Sequence, residues 1–183
     1  MSSTPITDVD ALFAVLASGG GETDDEQVDL LAHGLQCAAI LAETAPDDPA
    51  LQVAGLVHDV GSVLWPGRPR THARAGAAAV AALLGERVAW LVAHHDQAKR
   101  YLVTVDPAYG SQLTPVSVVT LEAQGGLLSD DERAELEAEP WLPDVLTLRR
   151  ADDAAKVPGR PVPGLGHWRP LVEAVASANL NQL

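Results

Sequence analysis

Six residues near the middle of the chain, Leu56-Val57-His58-Asp59-Val60-Gly61, carry the strongest signal in the sequence. The first three of them close an apolar segment, Ala50 to His58, whose composition predicts a short buried helix that stops at Gly61. Asp59 would therefore lie near the core, where an ionised carboxylate is costly unless it is paired or bound to a metal. The His58-Asp59 pair thus predicts a buried polar site.

The segments on both sides of this pair also predict helices. Apolar residues recur every three or four positions, as one buried helix face requires, and alternating β-branched patterns are scarce. The longer predicted helices are Asp8 to Ala17, Asp24 to Thr44, His72 to Leu84, Glu86 to Lys99 and Trp141 to Ala155. We expect an all-α, single-domain helical bundle. Residues 1–22 would be an N-terminal helix and glycine break packed on a domain of residues 23–183.

Composition narrows the possible function classes. The 183 residues suit one domain, and the formal net charge of -13 argues against a protein that binds nucleic-acid backbones. The single cysteine, Cys37, excludes a disulfide framework. No export signal and no run of ~18 consecutive apolar residues is visible, so we expect a cytoplasmic protein that does not bind membranes. Monomer and weak dimer both stay open.

Histidines and aspartates recur on successive predicted helices. Metal sites in helical bundles are built from such side chains on facing helices. Mixed nitrogen and oxygen ligands suit Fe, Mn, Zn or Co more than Ca or Mg. The set exceeds what one tetrahedral ion needs, which favours two metals with a bridging carboxylate. The candidates are His33, His58, Asp59, His72, His94 or His95, and the pair Asp152-Asp153.

Three histidines need separate treatment. Spacing alone does not choose between His94 and His95 as the ligand from their helix. His167 lies among prolines and glycines, and we expect a structural role for it. A lone histidine is more often a satisfied core or surface residue than a ligand, so the prediction depends on the whole set.

The set resembles the H…HD…D signature of the HD-domain superfamily, which consists mostly of metal-dependent phosphohydrolases on a helical bundle. A narrower resemblance is to the phosphonate-oxidising HD oxygenases, a mixed-valent di-iron branch that includes 2-amino-1-hydroxyethylphosphonate oxygenase. It extends in order from about Glu26 to Val175. The matching segments are His33-Gly34-Leu35-Gln36-Cys37-Ala38, Ala98-Lys99-Arg100-Tyr101-Leu102-Val103, Thr120-Leu121-Glu122-Ala123-Gln124-Gly125-Gly126, Lys156-Val157-Pro158-Gly159 and His167-Trp168-Arg169-Pro170-Leu171.

The resemblance implies a ligand set for two iron ions, Fe(II) and Fe(III), with O2 as co-substrate. The match of His95-x-x-x-Lys99 selects His95 over His94, and Asp59 would bridge the two ions. One ion would take His33, His58, Asp59 and Asp152, and the other would take Asp59, His72 and His95.

The resemblance also implies substrate contacts. Lys99, one helical turn from His95, would hold the phosphonate, and with Asp59 it is a predicted catalytic residue. Arg149, three residues before Asp152, would add a second cation. The remaining predicted substrate contacts are Ser117, Gln124, Glu26 and Ser62. Glu26 would recognise an amine.

The sequence departs from the family at two places. Ser62 stands where the family has a histidine that helps hold the phosphonate, so that contact must change. Thr23 stands where reference members have a tyrosine that can cover the open iron position, a role for which Tyr101 and Tyr109 are candidates.

The expected activity is O2-dependent cleavage of the C–P bond of a small 1-hydroxyphosphonate, amino- or ammonio-substituted, to a carboxylic acid and phosphate. One alternative is a phosphohydrolase that acts on a small phosphate ester or nucleotide, using the same ligands with Mn, Co or Zn. A third possibility is a catalytically silent, metal-stabilised binding module, against which the complete ligand set argues.

Overall fold

The structure, a computed structural model, describes residues 5–21, 23 and 27–181. In these ranges the chain forms helices and no β-strand, with one isolated antiparallel bridge between Thr23 and Asp29. The predicted all-α helical bundle is confirmed. The helices are α1 (Val9–Ser18), α2 (Leu30–Thr44), α3 (Pro49–Val57), α4 (Val60–Leu64), α5 (His72–Val105), α6 (Pro107–Gly110), α7 (Pro115–Ala123), α8 (Asp130–Glu137), α9 (Leu142–Ala154), a 3-10 turn (Leu165–Trp168) and α10 (Arg169–Leu180).

Capping side chains set where the helices begin. The Asp29 carboxylate accepts a hydrogen bond from the Ala32 amide at 2.7 Å, so α2 begins at Leu30 and not near Asp24. Ser129 and Glu132 form a reciprocal capping box at the start of α8. The prediction that a helix stops at Gly61 is wrong, because Gly61 lies inside the short helix α4.

Helix α5 is the longest element and is interrupted at Gly85. The backbone there has φ 84°, a left-handed conformation that favours glycine, so the predicted pair of helices meets at this residue. The Asn179 side chain donates to the Ala82 carbonyl at 3.1 Å and satisfies the end of the first half. By length and composition α5 is the one described helix that could cross a membrane, yet more than half of its most apolar stretch is buried.

One hydrophobic core runs through the bundle. Helix α3 lies at its centre, packed between α2, α5 and α9. Leu12 and Leu16 of α1 belong to the same core, so this helix packs against the rest of the bundle. The boundary after residue 22 stays a prediction. The four helices α2, α3, α5 and α9 thus meet around a common centre, to which each contributes polar side chains.

Candidate metal centre

The six candidate ligands converge on this centre in two groups. His33, His58 and Asp152 form the first group, and Asp59, His72 and His95 form the second. Within each group the candidate ligand atoms all lie within 4.8 Å of one another, and every member except the half-buried Asp59 is buried. Residues up to 119 positions apart in the chain (152 against 33) are therefore brought together by the packing of four helices.

Asp59 lies between the two groups. Its Oδ2 atom is 3.8 Å from His33 Nε2 and 3.6 Å from His58 Nε2. Its Oδ1 atom is 3.3 Å from His72 Nε2 and 3.6 Å from His95 Nε2. Because α3 ends at Val57 and α4 begins at Val60, Asp59 lies in the short junction between the two helices, and its carboxylate faces both groups. A bridging carboxylate requires this placement.

The four imidazoles share one hydrogen-bond arrangement. Each Nδ1 atom lies 2.8–3.0 Å from a backbone carbonyl oxygen, those of Ala155, Gly55, Pro69 and Val92 for His33, His58, His72 and His95 respectively. A carbonyl oxygen only accepts hydrogen bonds, so Nδ1 carries the hydrogen and Nε2 faces the centre. This anchoring of the second ring nitrogen is typical of metal-binding histidines.

The Nε2 atoms face one another in two close pairs. His33 Nε2 and His58 Nε2 are 3.1 Å apart, as are His72 Nε2 and His95 Nε2. Two nitrogen lone pairs at this distance repel unless a proton or a metal ion lies between them. Two nitrogens that each bind one ion at ~2.1 Å are themselves roughly 3–3.5 Å apart. The donor set therefore fits a metal ion in each group.

Burial and charge set the protonation of these groups. Burial is the main reason that the pKa of His58 falls to about 4, which leaves this imidazole neutral and able to bind metal at pH 7. Burial also acts to lower the pKa of His72, but the hydrogen bond and charge of Asp59 outweigh it and raise the value to about 9. Although burial opposes ionisation of Asp59, the surrounding imidazoles hold its pKa well below the usual range. A metal ion must therefore displace a proton from His72.

A cavity of about 200 Å³ opens over the two groups. Lys99, Arg149 and Lys156 bring three cationic side chains to its lining. The Lys99 Nζ atom donates to Thr120 Oγ1 at 2.9 Å. Burial and the neighbouring Arg149 cation lower the pKa of Lys99 to about 8. The cavity thus combines candidate metal ligands on one wall with cations on another, as an anionic substrate needs.

Carboxylates hold Arg149 at the edge of the first group. Its Nη1 atom is 2.6 Å from Asp152 Oδ2, and its Nε atom donates to Asp153 Oδ2 at 3.1 Å. Burial acts to lower the pKa of Arg149, but Asp152 and Asp153 raise it well above its ordinary value, so the guanidinium stays charged. Tyr109 Oη donates to the same Asp153 oxygen at 2.6 Å. Arg149 therefore links a candidate ligand to the cavity.

The structure places the other predicted residues as follows. Ser62, Ser117 and Gln124 line the cavity, whereas Glu26 lies outside the described residues. The hypothesis that Tyr101 or Tyr109 approaches the metals finds no support, because their hydroxyls bond to Glu137 and Asp153 and neither lines the cavity. His94 stacks on Trp90 with ring centroids 4.0 Å apart, and His167 packs against Trp168, so neither joins the centre.

Three polar or charged residues of the cavity had no role assigned from the sequence. Asp96 lies 3.7 Å from His72 Nδ1 and accepts a hydrogen bond from Gln124. An acid directly after His95 repeats the His58-Asp59 pattern, so its position could have been predicted. Thr120 lies three residues after Ser117 on one face of α7, which is also a visible signal. The position of Lys156, by contrast, depends on long-range packing.

Comparisons with known proteins agree with this geometry. The HD-domain family matches residues 30–154, which include all six candidate ligands. The chain therefore belongs to the HD-domain family, and the resemblance seen in the sequence is confirmed.

Two curated relatives define the branch more closely. Hydroxymethylphosphonate dioxygenase of Gimesia maris is 36% identical in an alignment of 183 positions, which covers 95% of this chain and 90% of that protein. The [1-hydroxy-2-(trimethylamino)ethyl]phosphonate dioxygenase (glycine-betaine-forming) of Leisingera caerulea is 28% identical in an alignment of 170 positions, which covers 88% of this chain and 86% of that protein. The chain is thus an HD-domain enzyme related to phosphonate dioxygenases.

Proposed function

We propose that this enzyme uses two iron ions and O2 to cleave the C–P bond of a small 1-hydroxyphosphonate. One iron would take His33, His58, Asp59 and Asp152, and the other would take Asp59, His72 and His95. The observation that carries the proposal is the pair of facing Nε2 contacts on either side of Asp59, under a cavity lined by cations. The curated relatives are named for O2-dependent reactions of phosphonates, which supports iron over the metals of a phosphohydrolase.

The size and charge of the cavity restrict the substrate. At about 200 Å³ it is smaller than the roughly 300–1,000 Å³ of sites for drug-sized ligands, so a nucleotide fits poorly. Lys99 offers a point charge and Arg149 a planar fork, both suited to phosphonate oxygens. Ser117 and Gln124 add hydrogen-bonding groups to the lining, and Ser62 of α4 would contact the substrate from the other side. The cavity thus favours a dianion with a small substituent.

The overall reaction balances without an external reductant. For the smallest substrate, hydroxymethylphosphonic acid and O2 give formic acid and phosphoric acid, so carbon loses four electrons and O2 gains them. The iron pair, when bound, supplies the O2 chemistry. The protein would hold the phosphonate with Lys99, whose positive charge would also screen the dianion from the carboxylates of the centre.

The substituent on the hydroxyl-bearing carbon is the least constrained feature. An amino or ammonio group would suit Glu26, whereas one relative is named for hydroxymethylphosphonate and the other for a trimethylamino substrate. We propose a 1-hydroxyphosphonate of this range, with Glu26 as the candidate contact for an amine. We further propose that the enzyme acts in the cytoplasm, where its free buried Cys37 would remain reduced.

The test combines metal analysis with oxygen uptake. Protein purified under reducing conditions should contain iron, consume one O2 per phosphate released from a hydroxyphosphonate, and release none without O2. The substrate panel should include hydroxymethylphosphonate, 2-amino-1-hydroxyethylphosphonate, its trimethylamino analogue and simple phosphate esters. Phosphate release from an ester in the absence of O2 would instead indicate a phosphohydrolase.

A further inference from the structure

Lys156 follows the end of α9, and hydrogen bonds hold the backbone on both sides of it. The residue before it, Ala155, accepts a hydrogen bond from His33 Nδ1 at 3.0 Å. The residue after it, Val157, exchanges two hydrogen bonds with the buried Gln36 side chain, at 2.9 and 3.2 Å. Backbone on both sides of Lys156 is therefore attached to α2. The half-buried Lys156 side chain lies over the same cavity as Lys99 and Arg149.

The Lys156 ammonium is hydrogen-bonded to a buried hydroxyl in that cavity. Its Nζ atom donates to Ser117 Oγ at 2.9 Å, and Ser117 is only 3% exposed. An ammonium group only donates, so the serine oxygen uses a lone pair in this contact and keeps its own proton for another acceptor. Ser117 lines the cavity, and an anion there would receive that proton as a hydrogen bond.

The local charge balance also favours an anion at this place. Burial and Arg149 lower the pKa of Lys99, and the charge of Lys156 adds to this effect, so the three cations are close enough to repel one another. The carboxylates on the opposite wall are candidate metal ligands and would be neutralised by bound metal. A dianion between the cations and the metals would therefore reduce the repulsion among the positive charges.

We propose that Lys156 and Ser117 act as one anion-binding pair, in which the lysine supplies charge and directs the serine hydroxyl proton towards the phosphonate. The inference rests on the proposed function for the identity of the anion. It adds Lys156 as a third substrate-binding cation, and it gives Ser117 a donor role that depends on Lys156. Inorganic phosphate, the expected product, carries the same tetrahedral oxyanion and can serve as the probe.

The experiment measures phosphate binding to the iron-loaded protein by calorimetry, with iron content determined for every variant. A hydrogen bond to a charged group contributes about 1.5–3 kcal/mol, so Lys156→Met should weaken binding by roughly 10- to 150-fold. Lys156→Arg keeps the charge and should recover most of the affinity. Arg150→Met removes an exposed charge one residue from Arg149 and should leave phosphate affinity unchanged.

A double-variant cycle tests the pairing. Ser117→Ala should weaken phosphate binding in the parent protein but have little further effect in Lys156→Met. In that variant the lysine that orients the Ser117 hydroxyl is already absent. Losses that simply multiply in the double variant would overturn the pairing. If Lys156→Met fails to hold iron, Lys156→Gln provides the same comparison with a polar side chain.

The outcomes separate this inference from the proposed function. Turnover of a hydroxyphosphonate with unchanged phosphate affinity in Lys156→Met would refute the pair and leave the function standing. Phosphate binding that depends on Lys156, in a protein that oxidises no hydroxyphosphonate, would support the pair and refute the function.

Discussion

The two ends of the cavity are constructed in different ways. At the metal end, all four imidazoles donate to backbone carbonyls and are buried in the centre of the bundle. At the anion end, Lys99 and Lys156 are bonded to hydroxyl groups of α7, a helix in which Ser117 is the one buried residue. Backbone carbonyl groups therefore orient the imidazoles of the metal end, whereas side-chain hydroxyl groups orient the lysines of the anion end.

This difference indicates which region can change without loss of the other. A backbone carbonyl is present whatever side chain the residue carries, so the ring orientation at the metal end tolerates substitution around it. A hydrogen bond between two side chains disappears when either one is replaced. We therefore expect the metal end to tolerate substitution of its neighbouring side chains better than the anion end does.

The largest effect is expected at Asp59. Its two oxygens face separate histidine groups, so Asp59→Ala should lower the metal content of both sites and reduce activity by more than about 1,000-fold, as loss of a metal-bound constellation does. Metal analysis and oxygen uptake on the same sample provide the measurement. Asp47→Ala removes an exposed carboxylate and should change neither. Full activity of Asp59→Ala without bound metal would refute the proposed centre.

Gly61→Ala tests whether backbone packing positions the metal end. A Cβ atom at Gly61 would lie 2.0 Å from the His72 carbonyl oxygen, so α4 and the start of α5 would have to separate. Overpacking of this kind costs about 1–3 kcal/mol, and we expect a lower melting temperature together with weaker metal binding. Gly164→Ala is the matched control, because nothing lies within 4 Å of its added Cβ. Wild-type melting and metal content in Gly61→Ala would contradict this view.

Sequence reasoning predicted the metal end better than the anion end. A His-Asp pair in an apolar segment and histidines on successive helices are local signals, and the structure brings all these residues together. The start of α2 was misplaced because Asp29, a cap five residues further along, sets it. Helix α4 was missed because five residues are too few to show a periodic pattern.

The anion end resists prediction for a physical reason. Lys156 reaches the cavity because Gln36, 121 positions away from Val157, fixes the backbone beside it. No local pattern reports such a contact. Arg149 differs in this respect, because its place three residues before Asp152 in the same helix is a local signal, and it pairs there with Asp152 and Asp153. The number of basic residues near the predicted ligands in the sequence does not show which of them reach the cavity.

The pH dependence of substrate capture offers a finer test of the anion end. Burial and Arg149 lower the pKa of Lys99 to about 8, so this lysine is charged below that pH and loses its charge as pH rises through it. Because kcat/KM reports the free enzyme, it should decline above about pH 8. Lys99→Arg keeps its charge, so its decline should move to higher pH. Lys99→Met should not show this decline, because it has no lysine to lose its charge. Its kcat/KM at lower pH should be roughly 10- to 150-fold below that of the parent, since a charge-assisted hydrogen bond is lost, and its iron content should be unchanged. The same decline in Lys99→Arg as in the parent would assign the limb to another group and weaken the role given to Lys99.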